Sequence, residues 1–193
     1  VSDPIWKPNT TVAVVLEHAG RYLLVEEETD DGLRFNQPAG HLDHGESLLQ
    51  ACVREAREET GYVVRPTALV GIYQWSPPTR PGLSYLRFAY AADLASELER
   101  PAGVTLLNLT IAAELAAEAQ PAGATIQNLA WSTELADGVV GAQLDAGIVR
   151  AVWLSYAEVR ACQDRHRSPL VLQCIDDYRA GRRYPLELIR HYD

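Results

Sequence analysis

Glu55, Glu58 and Glu59 stand close enough in this sequence to share one metal ion. Residues 40–62 read Gly-His-Leu-Asp-His-Gly-Glu-Ser-Leu-Leu-Gln-Ala-Cys-Val-Arg-Glu-Ala-Arg-Glu-Glu-Thr-Gly-Tyr. Ser47 and Gln50 have capping-box spacing, and Gly61 suits the position just past a helix end, so the pattern predicts a helix from Ser47 to about Thr60. At 100° per residue the three glutamates fall within one arc of about 100°. Leu49, Cys52 and Ala56 form the adjoining apolar stripe. The carboxylates are therefore expected along the border of the buried face, where the helix meets a sheet.

Two chemistries fit such a helix. Like charges three and four residues apart cost about 0.2–0.5 kcal/mol per pair. Solvated pairs with Arg54 and Arg57 offset part of that cost, which would leave a salt-laced surface helix. Alternatively, three carboxylates converging at a helix end are a hard-oxygen cluster suited to Mg²⁺ or Mn²⁺. Such an ion neutralises a polyphosphate and activates the water that attacks it. It also inverts the local charge, so an acidic protein can bind an anionic substrate.

The elements that must position this helix follow from the hydrophobic pattern. Thr11–Glu17 and Arg21–Glu28 are apolar, β-branched runs separated by His18-Ala19-Gly20, and they read as a hairpin. Asp30-Asp31-Gly32 and Pro38-Ala39-Gly40 read as turns. Ala68–Trp75, Tyr85–Asp93 and Ile148–Leu154 read as strands. Tyr156–Gln163 and Leu170–Ala180 read as helices, the second opened by Ser168-Pro169 and closed before Gly181. Strands mixed with helices favour an α/β fold, a mixed sheet with helices packed against it.

The acidic helix and its approach resemble the Nudix box: Gly, five residues, Glu, seven residues, then Arg-Glu-apolar-x-Glu-Glu-x-Gly-apolar. Those positions are Gly40, Glu46, Arg54, Glu55, Ala56, Glu58, Glu59, Gly61 and Tyr62. Seven fixed positions at average usage match by chance on the order of 10⁻⁶ for this length. Further stretches resemble the NudJ-type phosphatases of that family: Asn36 to Leu42, Gln74-Trp75, Leu86-Arg87-Phe88, Arg167 to Val171 and Tyr184 to Glu187. The likeness covers residues 8–93 and 147–189. It implies a Nudix α/β/α sandwich and Mg²⁺-dependent hydrolysis of phosphoanhydride bonds, Mn²⁺ being the other candidate ion. It implies Glu55, Glu58 and Glu59 as metal ligands, with the carbonyl of Gly40 completing the site. It implies Arg54 as the residue that orients the carboxylates and Glu46 as support for the helix. NudJ-like enzymes release phosphate stepwise from nucleoside tri- and diphosphates. They also act on thiamine diphosphate and its hydroxymethylpyrimidine precursor.

Substrate contacts are expected outside the box. Arg34, Arg87 and Arg167 can grip phosphate in forked geometry. Trp75, Tyr73 and Phe35 can stack on a heterocycle, and Trp75, at a strand end before Ser76-Pro77-Pro78, is the favoured one. His41 and His44 lie beside the cluster but are read as solvated loop residues. No elbow motif surrounds a Ser or Cys, which argues against a nucleophile of that type. The general base is left unassigned.

Length and composition frame this reading. The 193 residues, 47% hydrophobic and 22% charged, are expected to form a single domain, 1–193, without disulfide staples. Residues 94–145 stand apart as an Ala/Leu-rich insertion. Pro101-Ala102-Gly103 recurs as Pro121-Ala122-Gly123, a period of twenty residues, too few copies for a solenoid. The net charge of −9 argues against nucleic-acid partners. Charge is uneven: residues 146–193 hold eight Lys/Arg against six Asp/Glu, the preceding 145 hold nine against twenty. Arg165, His166, Arg167, Arg182 and Arg183 thus offer a local site for an anion. No run reaches the roughly 18 apolar residues of a membrane span. With no signal-peptide pattern, and with Cys52, Cys162 and Cys174 lacking Cys-x-x-Cys spacing, the expectation is reduced thiols in a cytoplasmic protein. The chain contains no methionine, and its start at Val1 suggests a lost initiator. No feature specifies an oligomeric state.

The leading function from sequence is therefore a phosphate-releasing diphosphatase acting on a small phosphorylated substrate. The alternatives are a housecleaning pyrophosphatase, which splits nucleoside triphosphates to monophosphate and pyrophosphate, and a non-catalytic Nudix module that senses a ligand or binds a partner.

Overall fold

The structure, a computed structural model, describes residues 5–95 and 144–192. The internal repeat falls on residues 96–143 and lies outside the described residues. Two described residues mark where that segment leaves and returns: the Ala95 N–H donates to Val63 O at 2.9 Å, and the Asp145 N–H donates to Glu58 O at 3.1 Å. Both junctions sit beside the C-terminal end of the acidic helix. The last strand before that segment runs to Leu94.

Among the described residues, seven strands form the sheet: β1 (Asn9–His18), β2 (Arg21–Thr29), β3 (Gly32–Asn36), β4 (Ala39–His41), β5 (Val64–Trp75), β6 (Tyr85–Leu94) and β7 (Ile148–Ser155). The β1–β2 hairpin turns through Ala19 and Gly20, both at positive φ (50° and 76°), the two-residue turn that suits strand twist. Beyond that hairpin end β1 forks away from β2. Its Thr11–Ala13 segment pairs antiparallel with β4, while its other edge pairs parallel with β6 from Asn9↔Tyr85 to Leu16↔Ala92. Strands β5 and β6 are antiparallel, as are β2–β3 and β2–β7.

Both faces of β1 are covered, so Val12 to Leu16 are all buried. Val12, Val14 and Leu16 face the helix α1 (Leu48–Thr60) through Ala51, Cys52 and Ala56. Ala13 and Val15 face the opposite layer, where Val159, Val171, Cys174 and Ile175 come from α2 (Tyr156–Ala161) and α3 (Leu170–Arg179). The result is the α/β/α sandwich with a mixed sheet. Among the described residues no helix is long and apolar enough to cross a membrane.

Three expectations are corrected. Pro38-Ala39-Gly40 is not a turn: the chain bends at Gln37-Pro38, and Ala39 to His41 form β4, because β1 offers them a free edge where it has left β2. Leu49 does not belong to the buried stripe; it is 36% exposed, and the helix packs through the smaller Ala51, Cys52 and Ala56. The helix from Tyr156 ends at Ala161 and continues as a 3₁₀ turn over Gln163–Arg165.

The capping box of α1 is complete. Ser47 accepts from the Gln50 N–H, the Gln50 side chain accepts from the Ser47 N–H, and Gly61 closes the helix at φ 74°. Ser47→Ala is expected to cost about 1 kcal/mol. It should lower the melting temperature by about 2–4 °C, read by circular dichroism; an unchanged melt would contradict the cap's role.

Candidate active site

Arg54 gathers the acidic groups. Its Nε and one terminal nitrogen donate to the two oxygens of Glu46 at 3.1 and 2.7 Å. That terminal nitrogen also donates to the carbonyl of His41 at 2.9 Å. The other donates to Glu55 at 2.7 Å and to Glu58 at 2.9 Å. One guanidinium thus ties the loop before α1, strand β4 and two turns of the helix together. Its multiple ionic hydrogen bonds raise the Arg54 pKa, and they hold Glu46 below its usual range.

Glu55 and Glu59 are buried, which sets aside a helix whose acids are all solvated. Glu55, Glu58 and Asp145 each place one carboxylate oxygen so that all lie within 4.8 Å of one another. Three oxygen donors at that spacing, with Arg54 touching two of them, fit a hard divalent cation. Gly40 lies directly over this group: a Cβ at that position would run into the Glu55 carboxylate. Glu59 lines the same cleft as Glu55 and Asp145, and its Oε2 accepts the Ala39 N–H at 2.8 Å.

Sequence reasoning missed Asp145. It was one acid among several in the anomalous segment, far along the chain, and in the fold its N–H donates to the Glu58 carbonyl on the helix.

Beside the acidic group opens a cleft of about 530 Å³. Arg34, Trp75, Arg87 and Arg167 all line it, together with Gly40, Glu55, Glu59 and Asp145. Glu58 shares the acidic triad without lining the cleft. Trp75 stacks on Tyr85 with ring centres 5.9 Å apart and planes 19° from parallel. Phe35 and Tyr73 are elsewhere. Phe35 is buried in the core beneath the Arg165 guanidinium, and Tyr73 donates to Asp177 at 2.9 Å. His41 reaches the cleft and His44 is exposed away from it. Of the basic tail only Arg167 arrives. Arg165 pairs with Glu26, Arg182 with Asp177 at 3.2 Å, and Arg183 lies over the Tyr178 ring. Thr11, Glu27, Arg80 and Ser168 also line the cleft; of these, Ser168 lies in a stretch the sequence singled out, Arg167 to Val171.

Without a cation, burial pushes the Glu59 carboxyl from 4.5 up to about 8, with Glu55, Glu27 and Asp145 adding to the rise and the Ala39 N–H opposing it. Folding then favours its protonated form, so its penalty is absent below about pH 4.5 and complete above about pH 8. Glu59→Gln should therefore gain melting temperature over the parent in EDTA, and gain more at pH 8.5 than at pH 5.5. An equal difference at the two pH values would contradict the assignment.

Comparison with known proteins identifies the family. The NUDIX domain profile matches residues 6–105. Phosphatase NudJ of Escherichia coli (strain K12) is 31% identical over 189 residues, 98% of this chain and 95% of that protein. A solved NUDIX hydrolase from Nitrosomonas europaea is 40% identical with a TM-score of 0.70, over 96% of this chain and 98% of that one. A MutT NUDIX hydrolase from Burkholderia pseudomallei shares the fold at a TM-score of 0.55 and 14% identity, over 89% and 98% of the two chains. With a NudJ-like sequence along nearly its whole length and the sandwich that carries the box, the chain belongs to the Nudix hydrolase family.

Proposed function

We propose that this chain, as one domain over residues 1–193, is a Mg²⁺-dependent phosphohydrolase. It cleaves the phosphoanhydride bonds of nucleoside di- and triphosphates, or of thiamine diphosphate and its hydroxymethylpyrimidine precursor, and releases phosphate. The observation that carries this reading is the convergence of Glu55, Glu58 and Asp145 oxygens beside a cleft that is also lined by four arginines, Arg34, Arg80, Arg87 and Arg167.

In this reading Glu55, Glu58 and Asp145 hold the cation, with Glu59 and the Gly40 carbonyl next to them. A bound Mg²⁺ supplies charge neutralisation at the phosphoryl oxygens and a more acidic attacking water. Arg54 keeps Glu55 and Glu58 in place before substrate arrives, so little reorganisation is needed during reaction. Arg34 and Arg167, both partly exposed in the cleft, orient the phosphate chain, and Trp75 lies under the organic group. The three cysteines are free and buried, which suits the reducing cytoplasm as the site of action.

Incubation with nucleoside diphosphates, thiamine diphosphate and Mg²⁺ should yield inorganic phosphate. Glu58→Gln should remove that turnover while leaving the melting temperature near the parent's. Pyrophosphate as the product from triphosphates would instead favour the pyrophosphatase reading, and unchanged turnover in Glu58→Gln would reject the site. Gly40→Ala should displace the Glu55 carboxylate and reduce kcat about 10²-fold; parental kcat would show that the close approach is dispensable.

A further inference from the structure

Among the described residues, five buried side-chain polar atoms lack a hydrogen-bond partner in the protein, and four of them belong to residues of this one cleft. They are Thr11 Oγ1, Glu27 Oε1, Arg87 Nε and Ser168 Oγ. Thr11, Arg87 and Ser168 are only 6%, 8% and 6% exposed. Native proteins leave few buried polar groups without partners, so four around one cavity indicate groups held ready for a ligand.

Their placement is built by the fold. Thr11 on β1 and Arg87 on β6 are cross-strand partners, so they stand side by side. Nη1 of Arg87 is directed at Asn36 Oδ1 (3.5 Å) and Gln37 Oε1 (3.3 Å), which fixes the guanidinium and leaves Nε–H unused. Glu27 comes from β2, its Oε1 facing Arg167 Nε in an ion pair of 3.6 Å, too long for a hydrogen bond, and Ser168 from the turn that opens α3.

The donor and acceptor pattern identifies the ligand chemistry. Arg87 Nε–H donates, the two hydroxyls donate or accept, and Glu27 Oε1 accepts. A phosphate offers only acceptors and would meet Glu27 as a like charge. The edge of a nitrogen heterocycle, with a ring nitrogen or carbonyl beside an N–H or amino group, satisfies both kinds of atom. The Trp75–Tyr85 stack lines the same cavity and offers aromatic surface to such a ring.

We infer that Thr11, Glu27, Arg87 and Ser168 form a specificity subsite that reads the hydrogen-bonding edge of a heterocycle on the organic end of the substrate. The inference rests on the cleft being the substrate site of the proposed phosphohydrolase. Arg87 then acts on the heterocycle, and Arg34 and Arg167 remain for the phosphates.

Two isosteric or near-isosteric variants test it, Thr11→Val and Ser168→Ala, with melting curves to confirm that each folds. Saturation-transfer NMR with unphosphorylated adenosine, guanosine, cytidine, uridine and thiamine, in metal-free buffer, reads the subsite independently of turnover. The parent should bind at least one of these, and each variant should bind it about tenfold more weakly, as expected for one lost hydrogen bond. In turnover, kcat/KM for the diphosphate of that heterocycle should fall about tenfold more than kcat/KM for methyl diphosphate, with the difference in KM. Equal losses on the two diphosphates would overturn the subsite, as would no heterocycle binding by the parent or equal binding by parent and variants. Heterocycle binding that weakens in the variants, in a parent that hydrolyses no diphosphate, would sustain the subsite and reject the phosphohydrolase reading.

Discussion

Carboxylates gather only where a cation or a bound proton offsets their repulsion. In this protein Glu46, Glu55 and Glu58 converge from a loop and two helical turns, and Arg54 is the cation that ties them. A guanidinium can do this because its planar donors reach several acceptors at once, where a lysine ammonium is a point charge on a flexible stem. The balance is incomplete, however. Asp145 joins Glu55 and Glu58 without a bond to Arg54, and Glu59 is buried with one backbone N–H as its partner. The excess negative charge left at this place is what suits it to a divalent ion and, through that ion, to a polyanionic substrate.

The fold serves that constraint at each level. The forking of β1 away from β2 leaves an edge that β4 fills, and β4 carries Gly40 up to the Glu55 carboxylate and Ala39 to Glu59. The completed capping box fixes where α1 begins, and therefore which turn faces the sheet. The small residues Ala51, Cys52 and Ala56 let the helix approach the sheet closely, so that Glu55 and Glu59 are buried at the same interface. The cleft beside them is formed by residues of strands β1 to β6, of α1 and of the turn before α3.

What the sequence made legible was local. The capping pair Ser47 and Gln50, Gly61 and the glutamate spacing are patterns of nearest helical neighbours, and periodicity exposes them. Arg34, Trp75, Arg87 and Arg167 were readable as cleft residues because a charged or aromatic side chain in an apolar strand, or near a turn, demands an explanation. Asp145 was not, since its proximity to Glu58 depends on where the chain returns after residues 96–143. Thr11 and Ser168 were not either: a threonine in a strand and a serine before a helix are ordinary there, and only the cavity shows that their hydroxyls are unused. The short strand β4 was hidden by a Pro-Ala-Gly run, because pairing with β1 overrides the local turn tendency.

The central claim is that the acids gathered around Arg54 form one divalent-cation site. Titration with Mn²⁺, followed by the electron paramagnetic resonance signal of the free ion, tests it most directly. The parent chain should remove Mn²⁺ from solution with a tight class of binding that Glu55→Gln abolishes. The same bound Mn²⁺ in both proteins, or none in the parent, would contradict it.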